Sequence, residues 1–138
     1  MKIMVCCSRL ESTKNALEYT VKLASAFQSD VIAVTVLKGV PQEKANDPEY
    51  SKAVLEQAKN TLKNAEAFFK ENNQRCETKM LPPNNLSIGE NLVKFAEDEQ
   101  IDQIVIGMGK KSKVSKLIFG SNAQHVLLSA RCPVTLVK

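Results

Sequence analysis

The sequence predicts an α/β domain in which a parallel sheet carries helices on both faces. Short apolar runs without polar alternation recur along the chain, as expected of strands buried on both sides. Segments with apolar residues at helical spacing lie between these runs. Right-handed crossovers between parallel strands then give a doubly wound, three-layer αβα arrangement. A length of 138 residues is typical of one domain, which we expect to span 1–138.

The first half of the chain begins with a strand from Lys2 to Cys7, a helix from Glu11 to Phe27 and a strand from Val31 to Leu37. Asp47-Pro48 starts the second helix, because Asp is a good N-cap and Pro fits the first helical position. This helix is expected to run to about Glu71. Its predicted buried face consists of Leu55, Ala58, Leu62, Ala65 and Phe69.

The third strand, Arg75 to Leu81, alternates polar and apolar residues, which predicts an edge position. Ser87 and Glu90 form a capping box at the start of the third helix. That helix has an apolar stripe of Ile88, Leu92, Phe95 and Ala96. The fourth strand runs from Gln103 to Ile106, and Pro133 opens the last strand.

The stretch between the last two strands predicts an anion site. Gly107 is followed by a loop with four lysines, Lys110, Lys111, Lys113 and Lys116. We expect Ser121 to be the N-cap of the fourth helix, whose inward residues are Ala123, Val126, Leu127 and Ala130. The first N–H groups of a helix lack partners and its dipole is positive there, which favours phosphate. Gly120 would let a ligand approach the backbone closely. Gly-Ser is also common at the start of a helix without any ligand.

Composition limits the class of partner. The net charge of +4 fits a small anionic ligand but gives no concentrated basic face for nucleic acid. No apolar run approaches the length of a membrane span. We therefore expect a cytoplasmic protein that binds neither nucleic acid nor membrane.

The four cysteines lack the C-x2-C spacing of a zinc site or a thioredoxin-like motif. In a reducing cytosol we interpret them as small apolar residues without disulfides. Redox sensing by the adjacent pair Cys6 and Cys7 is the alternative.

The C-terminal segment resembles the universal stress protein family, whose nucleotide-binding members carry G-x2-G-x9-G-[ST] between the fourth strand and the fourth helix. Gly107 fills the first position and Gly120-Ser121 fills the last two. Lys110 stands at the middle position, with Gly109 one place earlier. The flanking stretches IVIG, KLIFGS and PVTLVK resemble the family as well. The resemblance implies a Rossmann-like, adenine nucleotide alpha hydrolase-like fold with strand order 3-2-1-4-5.

That strand order would bring the carboxyl ends of the first and fourth strands to one crevice, where doubly wound sheets bind ligands. Where relatives read P-x-D and grip the ribose with the acid, this chain has Cys6 and Ser8, so a hydroxyl replaces the carboxylate. The resemblance also implies a backbone contact from Val36 to adenine. The other implied site residues are Gly107, Gly109, Lys110, Gly120, Ser121 and Asn122.

The resemblance implies an ATP-binding protein of the stress response, with or without Mg²⁺, that uses the nucleotide as a ligand or switch. Any hydrolysis should be slow, because the sequence shows no P-loop and the only histidine, His125, has no nearby acid. It also implies a homodimer paired through Val134 to Val137.

Lys110 allows two interpretations, since its side chain would block a close backbone approach while its ammonium would attract phosphate. Ser8 and Lys110 favour an alternative, a dimeric interaction module that has lost nucleotide binding. A third hypothesis, an enzyme that hydrolyses or transfers nucleotides, would need a metal-binding acid at the crevice. Asp98, Glu99 and Asp102 are expected at the opposite, amino end of the fourth strand.

Overall fold

The computed structural model describes residues 1–8, 12–108 and 120–138. The strands are β1 (Lys2–Cys6), β2 (Asp30–Val36), β3 (Cys76–Leu81), β4 (Gln103–Gly107) and β5 (Val134–Val137). The helices are α1 (Ser12–Phe27), α2 (Pro48–Glu71), α3 (Ile88–Asp98) and α4 (Ser121–Ser129), with a short 3-10 turn at Gln42–Lys44. The predicted elements are confirmed, and their ends shift by only about one residue.

The five strands form one parallel sheet in the order β3-β2-β1-β4-β5. Strand and helix alternate along the chain, so each crossover carries a helix. The predicted doubly wound αβα fold and its strand order are confirmed.

Alternate residues of β1 enter two separate cores, one on each face of the sheet. Ile3 and Val5 pack in a cluster with α1 and α2, whereas Met4 packs in a cluster with α3 and α4. All three side chains are fully buried. This is the period of two expected of a strand with both faces covered.

The N-cap of α2 is confirmed but its predicted buried face is partly wrong. The Asp47 carboxylate accepts hydrogen bonds from the N–H groups of Glu49 and Tyr50, at 3.1 and 3.2 Å. Ala58, Leu62, Ala65 and Phe69 are buried as predicted. Leu55 is 36% exposed, because it lies in the first turns of the helix, where no residue is buried.

The face predicted for α4 also needs correction. Ala123 and Val126 are buried and Ala130 is half-buried, but Leu127 is exposed. Its neighbour Leu128 is 79% exposed. Helix α4 is only nine residues long, and it presents a narrow buried stripe to the sheet and to α3.

The two ends of the sheet are β3 and β5. The predicted edge position of β3 is confirmed, and three consecutive residues of this strand, 77–79, are exposed. No helix in the described part of the chain has both the length and the apolar character needed to cross a bilayer.

Candidate functional site

The winding of the sheet reverses between β1 and β4. These neighbouring strands are paired from Ile3–Gln103 to Cys6–Ile106. The chain leaves β1 through α1 toward β2 on one side, and it enters β4 from α3 on the other face. The carboxyl ends of β1 and β4 therefore border the crevice in which ligands of such sheets bind.

On the β1 side, hydrogen bonds hold the chain where it leaves the sheet. The Cys7 N–H donates to the Val34 carbonyl at 2.8 Å. The buried Thr35 hydroxyl donates to the Cys7 carbonyl at 3.0 Å. Ser8 comes next and is exposed, and its N–H donates to the Thr13 hydroxyl at 3.0 Å. Cys6 and Ser8 therefore lie at the predicted place.

Two cysteine thiols at the end of β1, those of Cys6 and Cys7, have raised pKa values. All four cysteines are free. Burial raises the pKa of Cys6 to about 12. Burial, together with the neighbouring Cys6 thiol, raises the pKa of Cys7 even further. Because the thiolate is the reactive form, these pKa shifts disfavour the redox-sensing interpretation.

Val36 borders the crevice from β2, next to β1 in the sheet. It is the last residue of its strand, is half-buried and is paired with Leu81 of β3. The next N–H, that of Leu37, donates to the Leu81 carbonyl at 2.8 Å. The structure thus brings Val36 to the same edge of the sheet as Cys6 and Ser8.

On the β4 side, the fourth helix begins differently from the prediction. Gly120 is the N-cap, with an extended backbone (φ −58°, ψ 147°), and it makes no side-chain capping bond. Its carbonyl accepts from the Gln124 N–H at 3.0 Å. Ser121 is therefore the first helical residue, and the predicted Ser121 cap is wrong. Its hydroxyl does not cap α4, whose first N–H groups have no partner within the helix.

Gly120 has space around it. A Cβ built on this residue meets no atom of the described chain within 4 Å. Its φ is negative, a conformation open to every residue type. Neither the backbone nor the described neighbours require glycine here, so the position can be substituted to test ligand binding.

The remaining predicted loop residues are divided between the described and undescribed parts of the chain. Gly107 is half-buried, ends β4 and is paired with Val137 of β5. Gly109 and Lys110 lie outside the described residues.

Asn122 has a role that the sequence analysis did not assign. Its side-chain oxygen accepts from the Gly89 N–H at 3.1 Å, which joins the start of α4 to the start of α3. The phosphate role implied by the resemblance concerns its backbone N–H, which this bond does not use. The bond supplies a partner for one of the N–H groups at the start of α3.

Gly89 allows α3 and α4 to approach each other closely, because it has no side chain. A Cβ on Gly89 would lie 2.9 Å from the Cβ of His125 and 3.1 Å from the Asn122 carbonyl oxygen. The sequence contained a signal for this close contact. A glycine inside an amphipathic helix costs about 1 kcal/mol of stability relative to alanine, so its presence indicates that a side chain would not fit there. His125 is half-exposed, and its Cβ lies at this approach of the two helices.

The acidic residues of the α3–β4 connection lie at the far end of the sheet. Asp102 accepts from the backbone N–H of Lys2 at 2.8 Å, and Glu99 lies 3.3 Å from the Lys2 ammonium. Lys2 begins β1, so these carboxylates are at the amino end, as predicted. Within the described ranges, no three metal-binding side chains cluster.

Comparison with known proteins identifies the family. A family model described as the universal stress protein family matches residues 1–138. The chain belongs to this family. Its fold is therefore that of a universal stress protein.

Several relatives match nearly the whole chain. A universal stress protein of Methanocaldococcus jannaschii, MJ0531, is 28% identical over 99% of this chain and 81% of its own length. A solved universal stress protein from Archaeoglobus fulgidus superposes with a TM-score of 0.84 at 27% identity, covering 100% of this chain and 98% of that one. A structure of the universal stress protein from the same organism in complex with dAMP has a TM-score of 0.78 at 24% identity, with the same coverage.

Proposed function

We propose that this protein binds ATP, or another adenine nucleotide, in the crevice between β1 and β4. The observation that carries the proposal is the start of α4. Its N-cap is Gly120, and within the described residues no side chain caps it and no atom lies within 4 Å of a Cβ built on it. Backbone N–H groups and the positive end of the helix dipole suit phosphate oxygens.

The family supports the choice of ligand. The structure of the Archaeoglobus fulgidus universal stress protein was solved in complex with dAMP, and it shares the fold of this chain. The net charge of +4 also favours an anionic ligand.

We assign the parts of the nucleotide to the residues that border the crevice. The phosphates would meet the backbone N–H groups at Gly120, Ser121 and Asn122. Gly107, Gly109 and Lys110 are the further contacts that the family motif predicts. The ribose would meet Ser8, beside Cys6. Adenine would lie near Val36, where a backbone contact tolerates changes of side chain.

We propose that the nucleotide acts as a ligand or switch in a cytoplasmic stress response and that any hydrolysis is slow. Asp102 and Glu99 contact Lys2 at the amino end of the sheet, away from the crevice. Metal-assisted phosphoryl transfer needs carboxylates beside the phosphates. Mg²⁺, if bound, would then be held mainly by the phosphates and water.

Calorimetric titration with ATP, with and without Mg²⁺, tests the proposal. We expect Gly120→Val to abolish binding, because a branched side chain would fill the space at the start of α4, and Gly120→Ala to give an intermediate loss. The melting temperatures of both variants serve as the control for folding. Absence of binding to the wild-type protein, with an intact dimer by light scattering, would instead favour the interaction module that lacks nucleotide.

We further propose that two copies pair through β5. In the described part of the chain this strand has a neighbour on one side only, β4, and its four residues are half-buried. An open apolar edge of this kind is stabilised by pairing with a second strand.

The hydrogen bonds of β5 suggest the variants that test this pairing. The Pro133 carbonyl accepts from the Ile104 N–H of β4 at 3.0 Å, and the Val137 carbonyl accepts from the Met108 N–H just after β4 at 2.7 Å. The backbone groups of Leu136 therefore point to the outer edge and those of Thr135 toward β4. We expect Leu136→Pro to give a folded monomer by light scattering, whereas Thr135→Pro should destabilise the sheet itself. A Leu136→Pro protein that remained dimeric would contradict pairing through β5.

A further inference from the structure

The first half of α2 lies outside the packed body of the protein. The helix runs from Pro48 to Glu71, but its buried residues begin only at Ala58. None of the ten residues 48–57 is buried, and seven of them are exposed. At 1.5 Å per residue, about 15 Å of helix therefore lacks the anchoring that the later turns have.

The chain that leads into this helix does not anchor it either. The connection from β2 to α2, residues 37–47, contains a single 3-10 turn and no buried residue. Regions with few buried apolar contacts open at low free-energy cost. The first half of α2 is therefore the part of the helical layer that can move while the core stays packed.

A groove separates this part of α2 from α1. It has a volume of about 710 Å³, and one end of it is at Ser8, where β1 has ended. Its apolar lining consists of Leu17, Ala65 and Phe68, and Phe68 is only half-buried. Closing the groove would remove this apolar surface from water, which is favourable.

Two opposite charges line the groove from its two sides. Lys14 belongs to α1 and Glu56 to the first half of α2. Both side chains are exposed. Within the described residues, neither belongs to an ion pair. Movement of α2 toward α1 would bring these charges together, and opposite charges attract.

The α1 side of the groove is the fixed side. Ala16, Leu17 and Thr20 are buried in or beneath α1. The Asn15 side chain also donates to the Lys138 carbonyl at 2.9 Å, which ties the helix to the end of β5. Any closure must therefore come from α2.

We propose that residues 48–57 form a lid that closes on α1, with Lys14 and Glu56 as its closing ion pair. The closed lid covers the β1 side of the crevice, because the groove ends at Ser8. An exposed ion pair contributes little free energy, which suits a lid that must open again. The effect on a ligand rests on the proposed nucleotide function, whereas the movement is a property of the free protein.

Distances between two spin labels test the movement. One label is attached at Leu55→Cys in the lid and the other at Lys22→Cys in α1, since both residues are exposed. The protein also carries Cys76→Ser and Cys132→Ser. The two thiols at the end of β1 react slowly with the label, because burial raises their pKa values.

We expect two distances at low ionic strength, of which the shorter comes from the closed lid. The ratio of closed to open protein should fall about two- to fivefold in Glu56→Gln and in 1 M salt, as expected for the loss of an exposed ion pair. Lys14→Glu combined with Glu56→Lys should restore the ratio, because the exchanged charges still attract.

A second pair of labels is the matched control. Lys63 is exposed but lies in the anchored half of α2, between the buried residues Leu62 and Ala65. Labels at Lys63→Cys and Lys22→Cys should give one distance under all conditions. Two distances from this pair would mean that the whole helix moves, which would overturn the lid.

The nucleotide enters as a separate arm of the experiment. Saturating ATP should raise the ratio of closed to open protein, because a lid that covers a ligand retains it. A ratio that ATP leaves unchanged, in a protein that binds ATP by calorimetry, would overturn the link between the lid and the crevice.

The lid and the proposed function fail in different ways. A single distance between the lid and α1 at every salt concentration, with and without ATP, would overturn the lid and leave nucleotide binding standing. Equal ratios in the wild type and in Glu56→Gln would overturn the closing ion pair. A protein that binds no ATP would overturn the proposed function, and the distances in the free protein would still decide whether the lid closes.

Discussion

The two sides of the crevice are built in opposite ways. On the β1 side, the hydroxyls of Thr35 and Thr13 hold Cys7 and Ser8 in place. On the α4 side, the N-cap is a glycine, which has no side chain of its own to cap the first N–H groups. The first side is closed by the protein's own hydrogen bonds, whereas the second offers backbone donors to a ligand. In the proposed function, the backbone donors at the start of α4 are the groups that would meet phosphate.

The largest expected effect concerns the thiols on the closed side. In a variant with Cys76→Ser and Cys132→Ser, Cys6 and Cys7 should react with iodoacetamide at pH 8 at least about thirtyfold more slowly in the native than in the unfolded state. A rise of the Cys6 pKa from 9.0 to about 12 lowers the fraction of thiolate at pH 8 about a thousandfold. The more basic thiolate is also more nucleophilic, which raises its rate constant about thirtyfold and leaves a net slowing of about thirtyfold.

The pH dependence of the reaction has a definite sign. Because the pKa of Cys6 is raised, the native rate should keep climbing with pH beyond 9.0, where the unfolded rate levels off. Equal native and unfolded rates at pH 8 would show that the carboxyl end of β1 is open to solvent chemistry.

The next effect compares two glycines on the open side. Gly89→Val should lower the free energy of unfolding by about 2 to 3 kcal/mol, because its Cβ would lie 2.9 Å from the Cβ of His125. Gly120→Val is the matched control and should cost less than about 1 kcal/mol, the loss of a weak N-cap. Urea unfolding measures both. Similar losses in the two variants would mean that α3 and α4 separate easily.

The smallest effect isolates the link between those helices. Asn122→Ala should cost about 1 kcal/mol of stability, because the Gly89 N–H loses its acceptor at 3.1 Å. Asn122→Asp keeps an acceptor oxygen and adds a favourable charge near a helix N-terminus, so its stability should match or exceed that of the wild type. If alanine were tolerated without loss while aspartate destabilised the fold, this bond would not join the helices.

Much of the fold could be read from short stretches of sequence. The capping box of Ser87 and Glu90 is present, with both bonds formed. Asp47 and Pro48 start α2 as predicted. These signals involve residues within one turn of each other, so their geometry hardly depends on the rest of the chain.

The site was predicted less completely, for a physical reason. The carboxyl-end positions of Cys6, Ser8 and Val36 follow from strand order, which the family resemblance supplied. The cap at Gly120 in place of Ser121 is a one-residue choice between two good N-cap residues, and sequence alone does not decide it.

What the sequence by itself determined is the alternation of strands and helices, their approximate ends and the loop motif. Only the tertiary structure decided that Leu55 and Leu127 are exposed, that Gly89 meets Asn122, and that the Ser8 N–H donates to the Thr13 hydroxyl. The Gly89–Asn122 bond joins residues 33 positions apart. The energy of such a contact depends on the residues that surround it once the helices pack against the sheet. The local sequence pattern does not identify those residues.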